Sequence, residues 1–425
     1  MAISAGVRNA LNSLSSIGSS AQEAQTRLAT GKRVNSAVDN AVNFFTSNSL
    51  NNRASQFGNL LDGIGNGIKT IQAASKGLDA ITKLVQSAQS TIKQAQGDIS
   101  SRPVIAGTTA IGTAGSVTAS GKTMKEVTLA TELGGTLGDA TASASQKLGI
   151  AGAEITLTIK SGETTYTDTA LTATSTIQDV VDSVNKSGVA TASVGDDGKL
   201  TIKSTTSDKL QVGLGSGATE AAALTDAQSG TANTKLGLAT TDYTTGKDVT
   251  ASAVRSALVS QFNDLRTQID QLAKDASYNG INLLTGDKLS VIFNEKTGAN
   301  QNKLDIQGQN IDSDTLGIKK AGTGTYDINF QSDSSLAKAA DALTATLTSL
   351  RSTASTFGAN LGVVQTRQDF SKDLISTLKA GADDLVLADT NEEGAKLLAL
   401  QTRQQLSQTA LTLSNQADQA VLRLF

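Results

Sequence analysis

The chain has no cysteine, no histidine, no tryptophan and a single proline, Pro103, in 425 residues. Without cysteine there are no disulfides, thiolate metal sites or cysteine nucleophiles. Without histidine the usual general base, the Ser-His-Asp relay and imidazole-held zinc are excluded. Aromatic residues make up 3% of the chain, and 36 Lys+Arg stand against 39 Asp+Glu, for a net charge of -3. A nucleic-acid surface needs a basic excess and aromatic stacking, so none is expected. No apolar run approaches the roughly 18 residues of a membrane-spanning helix. An enzyme of ordinary chemistry is therefore disfavoured, and no catalytic, cofactor or metal site is expected. The N-terminus also lacks the basic start, apolar block and cleavage site of a secretory signal. Two readings follow: a cytosolic protein, or one that leaves by a route that cleaves no signal.

What is present is uneven. Residues 101–250 carry 31 threonines, against 23 in the other 275 positions. Threonine with Val and Gly in alternation favours strands and turns. The flanks are rich in Ala, Leu, Gln, Lys and Ser at helical spacing. The composition therefore predicts helical arms enclosing a β-rich insert.

Both arms show heptads. Ile3, Val7, Ala10, Leu14, Ile17, Ala21, Ala24 and Leu28 are spaced 4-3-4-3-4-3-4, and Leu406, Ala410, Leu413, Ala417, Ala420 and Leu424 are spaced 4-3-4-3-4. A 3.5-residue period keeps one apolar seam facing a partner helix. Two seams at opposite ends of one chain predict that the termini pair with each other or with copies of themselves. Further helices are predicted at about 45–100, 251–276 and 334–380, with Gly63, Gly65 and Gly67 weakening the first locally. Between the last two, Tyr278-Asn279-Gly280 signals a turn, and 289–293 with 304–306 read as a hairpin. Within the insert, 154–160, 164–169, 189–194 and 200–204 read as strands around a helix at 176–186. Residues 104–150 read only as a loose β segment.

Short motifs carry little chemistry. Gly121-Lys122-Thr123 lacks the first glycine of a phosphate loop, because Ser116 occupies that position. Asp312-Ser313-Asp314 opens no calcium loop, because position twelve is Thr323 where a bidentate Glu is needed, and it reads as a turn. The sequon Asn185-Lys186-Ser187 lies in the predicted helix. Asp383-Asp384 and Glu392-Glu393 are adjacent and read as solvated carboxylates.

The flanks nevertheless carry an ordered set of motifs. Leu28-Ala29-Thr30-Gly31-Lys32-Arg33-Val34-Asn35-Ser36-Ala37, Asp39-Asn40-Ala41 and Asn66-Gly67-Ile68 lie in the N-terminal flank. Asn279-Gly280-Ile281-Asn282-Leu283-Leu284, Leu361-Gly362-Val363-Val364-Gln365-Thr366-Arg367 and the stretch from Ser414 to Phe425 lie downstream. Over about 1–100 and 251–425 the chain resembles the bacterial flagellins, the subunits of the flagellar filament. Less specifically, 154–204 resembles a repeat inserted in flagellins and other filament proteins.

The resemblance implies an α+β fold: a long antiparallel helical bundle and terminal coiled-coil arms from both chain ends, with a β-hairpin and a projecting β-rich α+β insert domain. It implies inner-tube terminal helices at 1–44 and 383–425, outer-tube elements at 45–103 and 250–382, and a surface-exposed variable insert at 104–249. Ile3, Val7, Leu14, Ile17, Leu28, Leu406, Leu413 and Leu424 become polymer contacts on this reading. Further implications are self-assembly, an export chaperone, a cap and hook-junction proteins as partners, and export through the flagellar channel to the cell exterior without signal cleavage. A hook–filament junction protein, or an adhesin acting through the insert, are the alternatives. One departure stands out. Where family members recognised by the innate immune flagellin receptor carry Arg-x-Arg-Glu-Leu, this chain has Ser87, Gln89, Ser90 and Thr91. The missing arginines are charged anchors, so weak receptor activation is expected.

Overall fold

A computed structural model describes residues 5–112, 117–118, 120–135, 146–322 and 327–422. The chain is α+β. Its first half contains α1 (Ala5–Thr30), α2 (Ala41–Gly97), β1 (Val104–Ala106), α3 (Met124–Leu129), β2 (Glu154–Ser161), β3 (Thr164–Leu171), α4 (Ile177–Lys186), β4 (Ala190–Val194) and β5 (Leu200–Ser204). There follow β6 (Leu210–Gly217), α5 (Glu220–Ser229), α6 (Ala253–Asp275), β7 (Lys288–Ile292), β8 (Lys303–Gln307), α7 (Asp333–Val386) and α8 (Thr390–Leu422). The chain divides into two units, 1–72 with 288–307 and 357–425, and 73–287 with 308–356.

In the first unit α1 packs on α8. The early part of α2 meets the late part of α7 through Ala54, Phe57 and Leu378, flanked by Leu50 and Leu374. The hairpin lies close to its predicted place, with Leu289 opposite Ile306 and Val291 opposite Leu304. The buried stripe of α2 runs through Ala54, Phe57, Ile64, Gly67 and Ile71 and continues to Ala74, Leu78, Ile81, Val85, Ala88, Ile92 and Ala95. Its 3-4 spacing is that of a continuous seam. The three glycines do not break α2, because burial of this stripe outweighs a propensity cost of about 1 kcal/mol each. Gly67 has a packing reason: a Cβ there would stand 2.7 Å from Val291 Cγ2.

In the second unit the insert holds two antiparallel three-stranded sheets, β3-β2-β6 and β1-β5-β4. One core joins them, with Ile155, Leu157 and Ile159 of β2, Val180 and Val184 of α4, and Leu200 and Ile202 of β5. Residues 154–204 hold the strands and helix read from the sequence, but their core also takes in Ile105, Leu133 and Leu148 before them and Leu210, Leu214 and Leu236 after them, so the packed body is larger than the expected subdomain. The 104–150 stretch is not simply loose. Residues 104–106 pair with β5, and Thr123 caps α3 in a capping box with Glu126. Gly121-Lys122-Thr123 is therefore a helix start; the rest of that stretch at 113–116, 119 and 136–145 lies outside the described residues.

The sequence reading missed β6 and α5. In Leu210–Gly217 glycine alternates with apolar residues, and a Cβ on Gly213 or Gly215 would collide with the backbone of Ala227 in α5. The helix lies directly on the strand, backbone to backbone, with Ala223 and Ala227 buried between. Glycine on one face of this strand permits the approach and hides the usual strand signal.

A polar joint ties the insert to the helices of the same unit. Arg255, at the start of α6, has a fully buried side chain. It donates to Phe330 O at 3.1 Å, Asp98 O at 2.9 Å, Ser207 Oγ at 3.0 Å and Asp333 Oδ1 at 2.6 Å. Ser207 N donates to Asp333 Oδ2 at 2.8 Å, and Asp208 accepts from the hydroxyls of Ser332 and Ser334. Burial disfavours the ionised form of Asp98. The hydroxyls of Ser252 and Ser100, the Ser100 amide and the Arg255 charge outweigh it, and the carboxyl lies below its ordinary range.

Candidate functional site

The described residues hold no group of three or more His, Cys, Asp or Glu placed to bind a metal, and no helix long and apolar enough to cross a membrane. The feature that invites function is the terminal helix pair. On α1 the partly or fully buried positions at heptad spacing are Val7, Ala10, Leu14, Ile17, Ala21 and Ala24, of which Ala24 is fully buried; Gly18, Ser20 and Arg27 are partly buried beside them. On α8 they are Glu393, Leu397, Leu400, Gln404, Ser407, Leu411 and Ser414, spaced 4-3-4-3-4-3. These two stripes form the seam within the chain.

The placement of the seam residues is mixed. Val7, Leu14 and Ile17 lie on the stripe between the helices. Leu28 is exposed, and Arg27 takes its turn of the stripe, paired with Glu393 Oε1 at 3.3 Å and with Glu23. Leu406 and Leu413 do not line this seam; they are 64% and 68% exposed, as is Leu398 at 66%. Ile3 and Leu424 lie outside the described residues. The helix α8 carries two heptad stripes, and the one with Leu406, Ala410, Leu413 and Ala417 faces away from α1. Glu393 also departs from its reading as a solvated carboxylate. It is 7% exposed, held by Arg27, whereas Glu392 beside it is exposed.

The motif Gly31–Ala37 stitches the two chain ends together. Arg33 N and Val34 N both donate to Val386 O, at 2.7 and 3.2 Å, and Ala388 N donates to Gly31 O at 2.9 Å. Val34 is buried, and Asn43 Nδ2 reaches Leu385 O at 3.3 Å. Asp39 organises the loop, accepting from Asn35 N at 2.9 Å and Ser36 N at 2.8 Å. Those amides hold its carboxyl below the ordinary range. Polar residues in this segment thus serve backbone closure.

On α2, Ser87 and Ser90 are exposed, Gln89 donates to Thr344 Oγ1 at 3.2 Å, and Thr91 is buried with its hydroxyl on Ser87 O. Arg255 carried no sequence signal, because its partners at 98, 207, 330 and 333 are far apart in the chain.

Comparison with known proteins agrees with this geometry. Residues 5–111 match the profile described as "Bacterial flagellin N-terminal helical region", and residues 346–425 match "Bacterial flagellin C-terminal helical region". Flagellin FljK of Caulobacter vibrioides is 32% identical over 174 residues, covering 40% of this chain and 59% of that protein. A flagellin of Brucella melitensis is 26% identical over 176 residues, covering 40% of this chain and 62% of that protein. Flagellin A of Rhizobium meliloti is 40% identical over 79 residues, covering 19% of this chain and 20% of that protein. The alignment with the Caulobacter protein thus spans a little under two thirds of its length. With both helical regions in order at its two ends, the stitched termini between them and these relatives, the chain belongs to the bacterial flagellin family.

Proposed function

We propose that the chain is a structural subunit that polymerises into the helical filament of the bacterial flagellum, used for swimming. The observation that carries this reading is the outward stripe of α8. Leu398, Leu406 and Leu413 stand in solvent on a helix that already has a partner along another face. Exposed leucines eight and seven residues apart, on the side of α8 turned from α1, mark an interaction surface. A heterologous contact repeated without closure generates an open helical polymer. On this reading no bond is made or broken; assembly is the reaction. Residues 1–44 and 383–425 form the inner tube, 45–103 and 250–382 the outer tube, and 104–249 the outer surface of a filament outside the cell. Export chaperone, cap and hook-junction proteins are the other partners.

The test is negative-stain electron microscopy of the full-length protein seeded with sheared filament fragments, beside a variant with Leu398, Leu406 and Leu413 changed to serine. Long uniform filaments from the parent and none from the variant support the reading. Filaments from neither, or equally from both, overturn it. We further propose weak activation of the innate immune flagellin receptor, since Ser87 and Gln89 offer no charge where family members place arginine. A normal dose response in a receptor reporter assay would refute that.

A further inference from the structure

The sequence holds two Asn-Gly steps, Asn66-Gly67 and Asn279-Gly280, and the fold treats them differently. Asn66 lies within α2, where its carbonyl accepts from Thr70 Oγ1 at 3.0 Å, and Gly67 is buried beneath Val291. Asn279 and Gly280 are exposed at the tip of a turn, with open space around Gly280. Asn279 has φ 51°, the one positive φ at a non-glycine among the described residues, and Gly280 follows at 79°. The left-handed region is costly for a residue with a Cβ. The turn is closed at its flanks, Tyr278 N to Ile281 O at 3.0 Å and Ile281 N to Tyr278 O at 3.1 Å. These bonds leave the Gly280 N–H and the Asn279 carboxamide unbonded.

We propose that Asn279 is a site of spontaneous deamidation, the position at which this protein ages chemically. The Gly280 nitrogen attacks Asn279 Cγ, a new C–N bond forms, and the bond to the side-chain amide nitrogen breaks. That nitrogen leaves as ammonia, taking the proton given up by Gly280 N. Water then opens the five-membered succinimide at either carbonyl, leaving aspartate or isoaspartate; one water is consumed and one ammonia released, with no oxidant or reductant. Glycine favours the step because no side chain crowds the attacking nitrogen. At Asn66 the helix holds Gly67 in its hydrogen-bond ladder and denies that nitrogen the approach.

The position matters because Asn282 follows three residues later. Its Nδ2 closes the end of α6 by donating to Ala273 O at 2.8 Å and Lys274 O at 2.9 Å, ahead of the fully buried Leu283 and Leu284. Isoaspartate lengthens the backbone by one methylene in the turn that delivers Asn282.

The experiment follows the full-length protein at mildly alkaline pH, folded and in guanidinium, by mass spectrometry and isoaspartyl-methyltransferase labelling of the tryptic peptides 275–288 and 54–69. In denaturant both peptides convert. In the folded protein 275–288 converts at least about tenfold faster than 54–69, because opening a packed helix is the rarer event. Asn279→Gln removes the signal from 275–288. Equal rates for the two peptides in the folded protein, a 275–288 rate about tenfold or more below that in denaturant, or a signal that survives Asn279→Gln would each overturn the proposal.

Discussion

Arg255→Ala tests the polar joint of the second unit. The native side chain is fully buried and serves four acceptors, two of them on residues 207 and 333, which join the insert to the start of α7. Removing one partner of a buried ion pair costs about 3–5 kcal/mol, because the surviving charge stays desolvated. The lower end applies here. Asp333 keeps the Ser207 amide, and Asp98 keeps Ser252 and Ser100, so neither carboxylate is left bare. Arg255→Lys retains the charge, but one ammonium cannot reach all four acceptors, and about 1.5–3 kcal/mol is expected. The assay is native-state hydrogen exchange of the monomer, since a chain of two units need not unfold in one step. Amides at 98–102, 204–208 and 330–334 should lose about 3 kcal/mol of opening free energy in the alanine variant. Amides near Phe57 and Leu378, in the other unit, should not change. A loss below about 0.5 kcal/mol at the joint, the range of an ordinary surface substitution, refutes the reasoning. So does an equal loss in both units.

Other consequences are open to measurement. Full burial of a leucine is worth about 1.5–3 kcal/mol, and Leu398, Leu406 and Leu413 each have about two thirds of that outstanding. The triple serine variant should therefore raise the critical concentration for assembly by about a hundredfold or more, with unchanged circular dichroism of the monomer. The Ser290 hydroxyl first, and then Lys288 and Lys303, pull the Asp305 carboxyl down to about 2. Its folded pKa lies below the unfolded one, so its contribution to the hairpin is present above about pH 4 and fades as pH falls toward 2. An NMR titration of the Asp305 carboxyl with a midpoint near 4 would contradict this. Gly215→Val drives a side chain into the backbone of α5 and should cost about 3 kcal/mol or more, read as lost exchange protection over 210–229.

Much of the architecture was legible in the sequence because it rests on period. Strict alternation placed β2, β4 and β5, and the Asn-Gly step announced the turn before the hairpin. Helical spacing located α2, α6 and α7 to within a few residues of their interior ends, though α7 runs on past the predicted end. Where period was masked, the reading failed. Gly213 and Gly215 removed the side chains by which β6 would have been recognised, and α5 mixes alanine with polar residues in no clear stripe. Glu393 looked like one of two solvated carboxylates until Arg27 arrived from the opposite end of the chain.

The sequence by itself determined that the chain ends are seam-bearing helices, that a threonine-rich insert lies between them, and that histidine and cysteine chemistry is absent. Tertiary structure decided which seam is used within the chain. Both stripes of α8 repeat every 3.5 residues, and the hydrophobic effect is non-directional, so periodicity declares a face without naming its partner. Only the pairing of α1 with Glu393, Leu397, Leu400 and Leu411 leaves Leu398, Leu406 and Leu413 outside. The joint at Arg255 depended on the fold for a similar reason. A buried guanidinium is tolerable only where its acceptors converge, and Asp98, Ser207, Phe330 and Asp333 converge only in three dimensions.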